Sequence, residues 1–121
     1  MGAAYFIVLE KKIDGLDTTM DGKSLSRQIE ALDEAAEELG VRTLSSFFSM
    51  PADELAEFMD DAEDIELPPL KQFSAEEGLA SVRALLPRPE AQPAMEDLRA
   101  CERILATAAE HGVGWHFQID V

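Results

Sequence analysis

Val113-Gly114-Trp115-His116-Phe117-Gln118-Ile119-Asp120-Val121 is the stretch on which the fold turns. Its odd positions are apolar and its even positions are small or polar. That period of two belongs to a half-buried β-strand, because successive side chains on a pleated backbone point to opposite faces. A strand needs a partner. Ala3-Ala4-Tyr5-Phe6-Ile7-Val8-Leu9 is a continuous apolar run rich in β-formers, the pattern of a strand covered on both faces. Two strands alone are marginal in water, so helices must roof them. The sequence therefore predicts a single α+β domain over residues 1–121, with the N- and C-terminal strands paired in a small sheet under about four helices.

The helices show themselves by a different period. Leu25, Ile29, Leu32, Ala36 and Leu39 recur every three or four residues, and Glu30, Asp33, Glu34, Glu37 and Glu38 line the other side. Ser24 has the chemistry of an N-cap and Gly40 that of a left-handed stop. Residues 41–48 read as either a helical turn or a short third strand near 41–46. A second helix is expected after Ser49-Met50-Pro51, with Leu55, Phe58 and Met59 as its apolar side. Ser74-Ala75-Glu76-Glu77 has the form of a capping box, with Glu77 placed to reach back to the Ser74 amide. The helix it opens carries Leu79, Val82, Leu85 and Leu86. Residues 87–93 hold three prolines and read as an extended connector. A last helix runs from about Pro93 to His111, with Met95, Leu98, Cys101, Leu105 and Ala108 on one side, and closes at Gly112.

Charge is the most pronounced compositional feature: 25 acids against 10 bases, a net −15. Such a field repels phosphate backbones, which argues against nucleic-acid binding, and it draws in a basic protein. The ordinary role of acidity is solubility. Residues 53–66, however, hold eight acids and no base. That exceeds what solubility asks, and it marks Asp53, Glu54, Glu57, Asp60, Asp61, Glu63 and Asp64 as candidate interaction residues. The apolar run at 3–9 is too short to span a membrane, and Lys11 and Lys12 follow it rather than precede it. With one cysteine no internal disulfide can form, and the expected location is cytoplasmic.

Few residues carry reactive chemistry. His116, Gln118 and Asp120 share the polar face of the last strand, which makes His116 and Asp120 candidates for acid–base work. Alternation alone also places polar residues on a solvated face. Asp14, Asp17 and Asp21 are oxygen donors in a glycine-punctuated loop, but their spacing is that of turns and not of an EF-hand, so no metal is expected. Cys101 falls on an apolar stripe and reads as an inert thiol. Trp115 and Phe117 read as core. No phosphate loop, nucleophile elbow or paired Cys or His ligands are found, and no cofactor is expected.

The segments Tyr5-Phe6-Ile7-Val8-Leu9-Glu10, Asp14-Gly15, Gly22-Lys23, Phe73-Ser74-Ala75-Glu76-Glu77-Gly78-Leu79 and Trp115-His116-Phe117 through Asp120 resemble an uncharacterised family of small acidic bacterial proteins. The resemblance implies a bacterial cytoplasmic protein and assigns no activity.

Three readings of function follow. The first is a non-enzymatic acidic interaction module, antitoxin- or immunity-like, that binds a basic protein partner. The second is a small enzyme or ligand-binding domain with its site on the His116–Asp120 face. The third is a homodimer formed through a sheet edge or through Phe47, Phe48 and Phe58. The charge distribution and the lack of reactive motifs favour the first.

Overall fold

The structure is a computed structural model, and it describes residues 3–49 and 70–120. Strand β1 (Ala4–Leu9) pairs antiparallel with β2 (Trp115–Asp120), so that Ala4 faces Asp120 and Leu9 faces Trp115. The α+β architecture with the two terminal segments side by side is as the sequence predicts. Three α-helices lie among the described residues: α1 (Lys23–Leu39), α2 (Ala75–Leu85) and α3 (Met95–Glu110). The fourth expected helix, opening near Pro51, falls outside the described residues.

One face of the sheet, with Tyr5, Ile7, Trp115 and Phe117, is buried under the helices. The aromatic rings pack edge to face, Tyr5 on Phe117 with centroids 5.4 Å apart and Trp115 on Phe117 at 4.8 Å, the arrangement their quadrupoles favour. Trp115 reaches α2, where Gly78 leaves room for it: a Cβ at that position would overlap the indole. The indole N–H donates to the Ser74 carbonyl at 3.1 Å.

Helices α1 and α3 end in the same way. Gly40 (φ 74) and Gly112 (φ 64) take the left-handed conformation. Val41 N–H donates to the Ala36 carbonyl at 3.0 Å and Val113 N–H to the Ala108 carbonyl at 2.9 Å. This six-to-one bond is the Schellman motif that a C′ glycine permits. At the end of α3 it turns the chain straight into β2.

Three local expectations are corrected, and at 41–48 the helical turn is the reading that holds: Leu44–Phe47 form a 3-10 helix. What joins the sheet there is backbone outside any regular strand: Ser49 N–H donates to the Phe117 carbonyl at 3.0 Å, and Phe73 exchanges two hydrogen bonds with Trp115. Residues Pro89–Ala94 are also 3-10, not extended, because Pro89 suits a first turn and Ala91 and Ala94 bury themselves under α1 and α3. Leu39, expected on the apolar stripe, is 41% exposed at the end of α1. Ser74 does cap α2, its Oγ accepting from Glu77 N–H at 3.4 Å, but the Glu77 carboxylate turns to Arg42.

The cap of α1 is the largest departure. Its N-cap is Gly22, at φ 76, which has no side chain to offer. Asp97, in the first turn of α3, supplies the missing acceptor. Its carboxylate takes hydrogen bonds from Gly22 N–H (3.0 Å), Leu25 N–H (3.0 Å) and Ser24 Oγ (2.7 Å) while only 3% exposed. Ser24 is thus a donor to the cap and not the cap itself. The Gly22 carbonyl accepts from Tyr5 N–H at 3.1 Å. One residue therefore ties α1, α3 and β1 together, and a Cβ on it would collide with the Tyr5 carbonyl.

Candidate functional site

The structure separates the residues that the sequence brought together on β2. His116 is 1% exposed, in contrast to the solvated polar face expected of it. Its Nδ1 lies 3.1 Å from Gln72 Oε1 and its Nε2 lies 2.8 Å from Gln118 Nε2. An amide oxygen must accept and an amide nitrogen must donate, so the ring is neutral and carries its proton on Nδ1. Burial pushes its pKa below the ordinary 6.5. Asp120 is exposed at the far end of the strand. No hydrogen bond joins Asp120 to His116 among the described residues, and the proposed acid–base pair does not form.

The reason lies across the ladder. The register partner of His116 is Val8, and that of Gln118 is Phe6. Both are half-buried, so this second sheet face is partly covered as well. Gln72, outside any helix or strand and two residues before the cap of α2, closes over the imidazole.

The loop carboxylates also go to structural use. Asp17 accepts from Thr19 N–H at 2.9 Å, a tight turn closed on itself. The Thr19 hydroxyl first, and that backbone bond second, hold its carboxyl below the usual carboxylate range. Arg103 clamps the same turn by donating from Nη1 to the Asp17 carbonyl at 2.7 Å. Asp14 and Asp21 are exposed. Among the described residues no three His, Cys, Asp or Glu side chains gather as metal ligands. Cys101 is fully buried, and desolvation, with the Asp97 charge second, pushes its thiol pKa far up, the opposite of what a nucleophile requires.

Three surface grooves do not gather these side chains either. The first, of about 480 Å³, lies between α2 and α3 and is floored by Leu79, Ala80, Ala106 and Ala109. A second, of about 370 Å³, lies beside the start of α2 with Glu10 and Glu76 on its wall. A third, of about 390 Å³, runs along β1 from Phe6 to Leu9, with Ile13 and Leu16 opposite. None of the three is lined by His116, Asp120 or Asp17.

What the described surface does offer is an acidic helix end. Glu30, Glu34, Glu37 and Glu38 are exposed on α1. The helix has no acid in its first turn and no base in its last. The carbonyls at a helix C-terminus carry partial negative charge, so Glu37 and Glu38, in the last turn, stand where the macrodipole opposes them, and Glu34 lies one turn before. Arg88 relieves Glu38 at 2.6 Å and also holds Glu90 at 3.0 Å. Asp33 accepts from Ser45 N–H at 3.2 Å. The other candidate interaction residues, Asp53, Glu54, Glu57, Asp60, Asp61, Glu63 and Asp64, lie outside the described residues. Of the aromatics suggested for self-association, Phe47 is fully buried, Phe48 is half-buried and Phe58 lies outside the described residues.

Sequence reasoning missed three residues that organise this surface. Asp97 could have been found: it falls on the same stripe as Cys101, Ile104 and Ala108, an acid where an apolar residue belongs. Arg42, whose guanidinium sits 4.5 Å from the ring centroids of both Phe47 and Phe73, and Gln72 gave no local signal. Among the described residues no helix is long and apolar enough to cross a membrane. Comparison with protein-family models, curated proteins and solved structures gives no match.

Proposed function

We propose that this protein is a non-enzymatic acidic interaction module of the bacterial cytoplasm that docks on a basic protein partner. The observation that carries the reading is the placement of Glu37, exposed in the last turn of α1 against the helix dipole, with Glu34 exposed one turn before it. A charge kept where it disfavours its own helix by about 0.3–1 kcal/mol is explained if something else benefits from it. A cationic side chain of a partner seated on this end would meet both the glutamates and the helix carbonyls behind them. The eight acids of 53–66 add to the net negative charge that such a partner would meet.

The enzyme reading loses its footing because His116 is shut in and apart from Asp120, and Cys101 and Asp17 are engaged in the fold. The test is affinity capture from the source organism at low and high salt, with wild type and a Glu34→Lys/Glu37→Lys variant. A basic protein should be retained by wild type at low salt, lost at high salt, and lost on charge reversal. Retention that ignores both salt and the variant defeats the proposal.

A further inference from the structure

The two edges of the sheet differ. Along β2 the outer edge is taken: Phe73 exchanges two hydrogen bonds with Trp115, and Ser49 N–H donates to the Phe117 carbonyl. In an antiparallel ladder the two members of an opposed pair either both turn their backbone groups toward each other or both turn them away. Trp115 and Phe117 turn theirs away, so their partners Leu9 and Ile7 do the same on the far side of β1. Tyr5 shares that outward phase, and its N–H goes to the Gly22 carbonyl at 3.1 Å. The N–H and C=O groups of Ile7 and Leu9 have no hydrogen-bond partner among the described residues. Natural sheets guard an open edge with a charge, a proline or a bulge. Ala4–Leu9 carries no charged residue and no proline, and its register with β2 runs unbroken.

The groove of about 390 Å³ lies along this open stretch, between Phe6–Leu9 and the wall made by Ile13 and Leu16. We propose that the free edge of β1, at Ile7 and Leu9, takes up an extended basic peptide segment of a partner protein as a third strand of the sheet. Main-chain hydrogen bonds would hold the segment, and the apolar groove would receive its alternate side chains. The wall sets the form of the occupant. What enters lies between β1 and the 12–18 segment, which suits one extended stretch of chain and not the edge of a second folded copy, whose own wall would meet this one. Charge sets its sign. Lys12 is the one charged residue that lines the groove, Asp14 and Asp17 stand exposed in the wall segment, and the chain as a whole carries −15. That field draws in a segment with basic residues and repels a second copy. No residue of α1 lines the groove, so this docking is independent of the glutamates at the end of that helix.

The probe is a peptide of about seven alternating valines and lysines, added to the full chain and followed by amide NMR and hydrogen exchange. At about ten times its Kd, exchange at Ile7 and Leu9 should slow about tenfold, while the Val113 amide, bonded to Ala108 in the α3 cap, is unchanged. Methylating the peptide nitrogens of every second residue should abolish binding in one phase and spare it in the other, as a strand bonded along one edge requires. Glutamates in place of the lysines should weaken binding at least about tenfold. Leu9→Pro takes away an N–H that the fold does not use. It should weaken binding by a similar factor and leave the Phe6 and Val8 amides, which face β2, protected. Leu16→Lys puts a cation in the wall and should do the same without altering β1. No slowing at Ile7 and Leu9, or binding that ignores the methylation phase, the peptide charge or both variants, overturns the proposal. So do shifts of the Ile7 and Leu9 amides that grow with protein concentration in the absence of peptide, which would give the edge to a second copy.

Discussion

Replacing Asp97 by alanine removes one side chain and unties the start of α1 from α3. The carboxylate accepts from two backbone N–H groups and one hydroxyl at 2.7–3.0 Å. Hydrogen bonds to a charged group contribute about 1.5–3 kcal/mol each, and the sum is a ceiling because removing a buried carboxylate also relieves its own desolvation. The Gly22 and Leu25 amides stay behind, at residues that are themselves buried, without the acceptor, and the first turn of α1 loses the side chain that caps it. A net loss of about 3–5 kcal/mol follows, a large share of the stability of an ordinary domain. Ser24→Ala removes only the hydroxyl donor and should cost about 1 kcal/mol. Asp97→Asn keeps one good acceptor and should fall between them. Urea unfolding at pH 7.5, followed through Trp115, the sole tryptophan, reads all three as shifts in midpoint at constant slope. If Ser24→Ala proves as damaging as Asp97→Ala, the cap belongs to Ser24 after all. A loss below about 1 kcal/mol for Asp97→Ala would refute the capping of α1 by this carboxylate.

Gly22→Ala and Gly40→Ala both place a Cβ at a positive φ, 76° and 74° respectively, but only the first meets the Tyr5 carbonyl. Gly40→Ala should cost about 1 kcal/mol by urea titration, and Gly22→Ala several times that. Equal losses would mean that strain alone matters and the close approach does not. Cys101 should resist a thiol reagent in the native protein and react at once in denaturant, and rapid native labelling would show the α3 stripe to be open. Glu37→Lys should raise stability by about 1 kcal/mol, since it trades an opposed charge for a favoured one at the end of α1, while weakening capture of a basic partner. A destabilised variant would remove the argument from the dipole.

Much of the fold is legible in the sequence because local pattern and tertiary role agree. The alternation at 113–121, the stripe of α1, the Ser74 cap and the glycine stops at Gly40 and Gly112 are all written in short windows of sequence. Their physics is also short-ranged: a pleat, a helical turn, a left-handed φ. The candidate site is less legible. Its own strand alone makes His116 look solvated, yet the apolar Phe6 and Val8 on the partner strand already imply cover on that face. Joining the two facts takes the register, which sets Phe6 opposite Gln118 and Val8 opposite His116.

The sequence by itself determined that two terminal strands share a sheet beneath amphipathic helices, because burying one face of each element leaves few other arrangements. It also determined the acidity, which depends on composition and not on shape. Only the tertiary structure decided that Asp97 caps a helix 72 residues away in the chain, that Gly22 must be glycine, and that His116 is closed in by Gln72. Each of these depends on a hydrogen bond or a close approach between distant parts of the chain, and such contacts leave no period in the sequence.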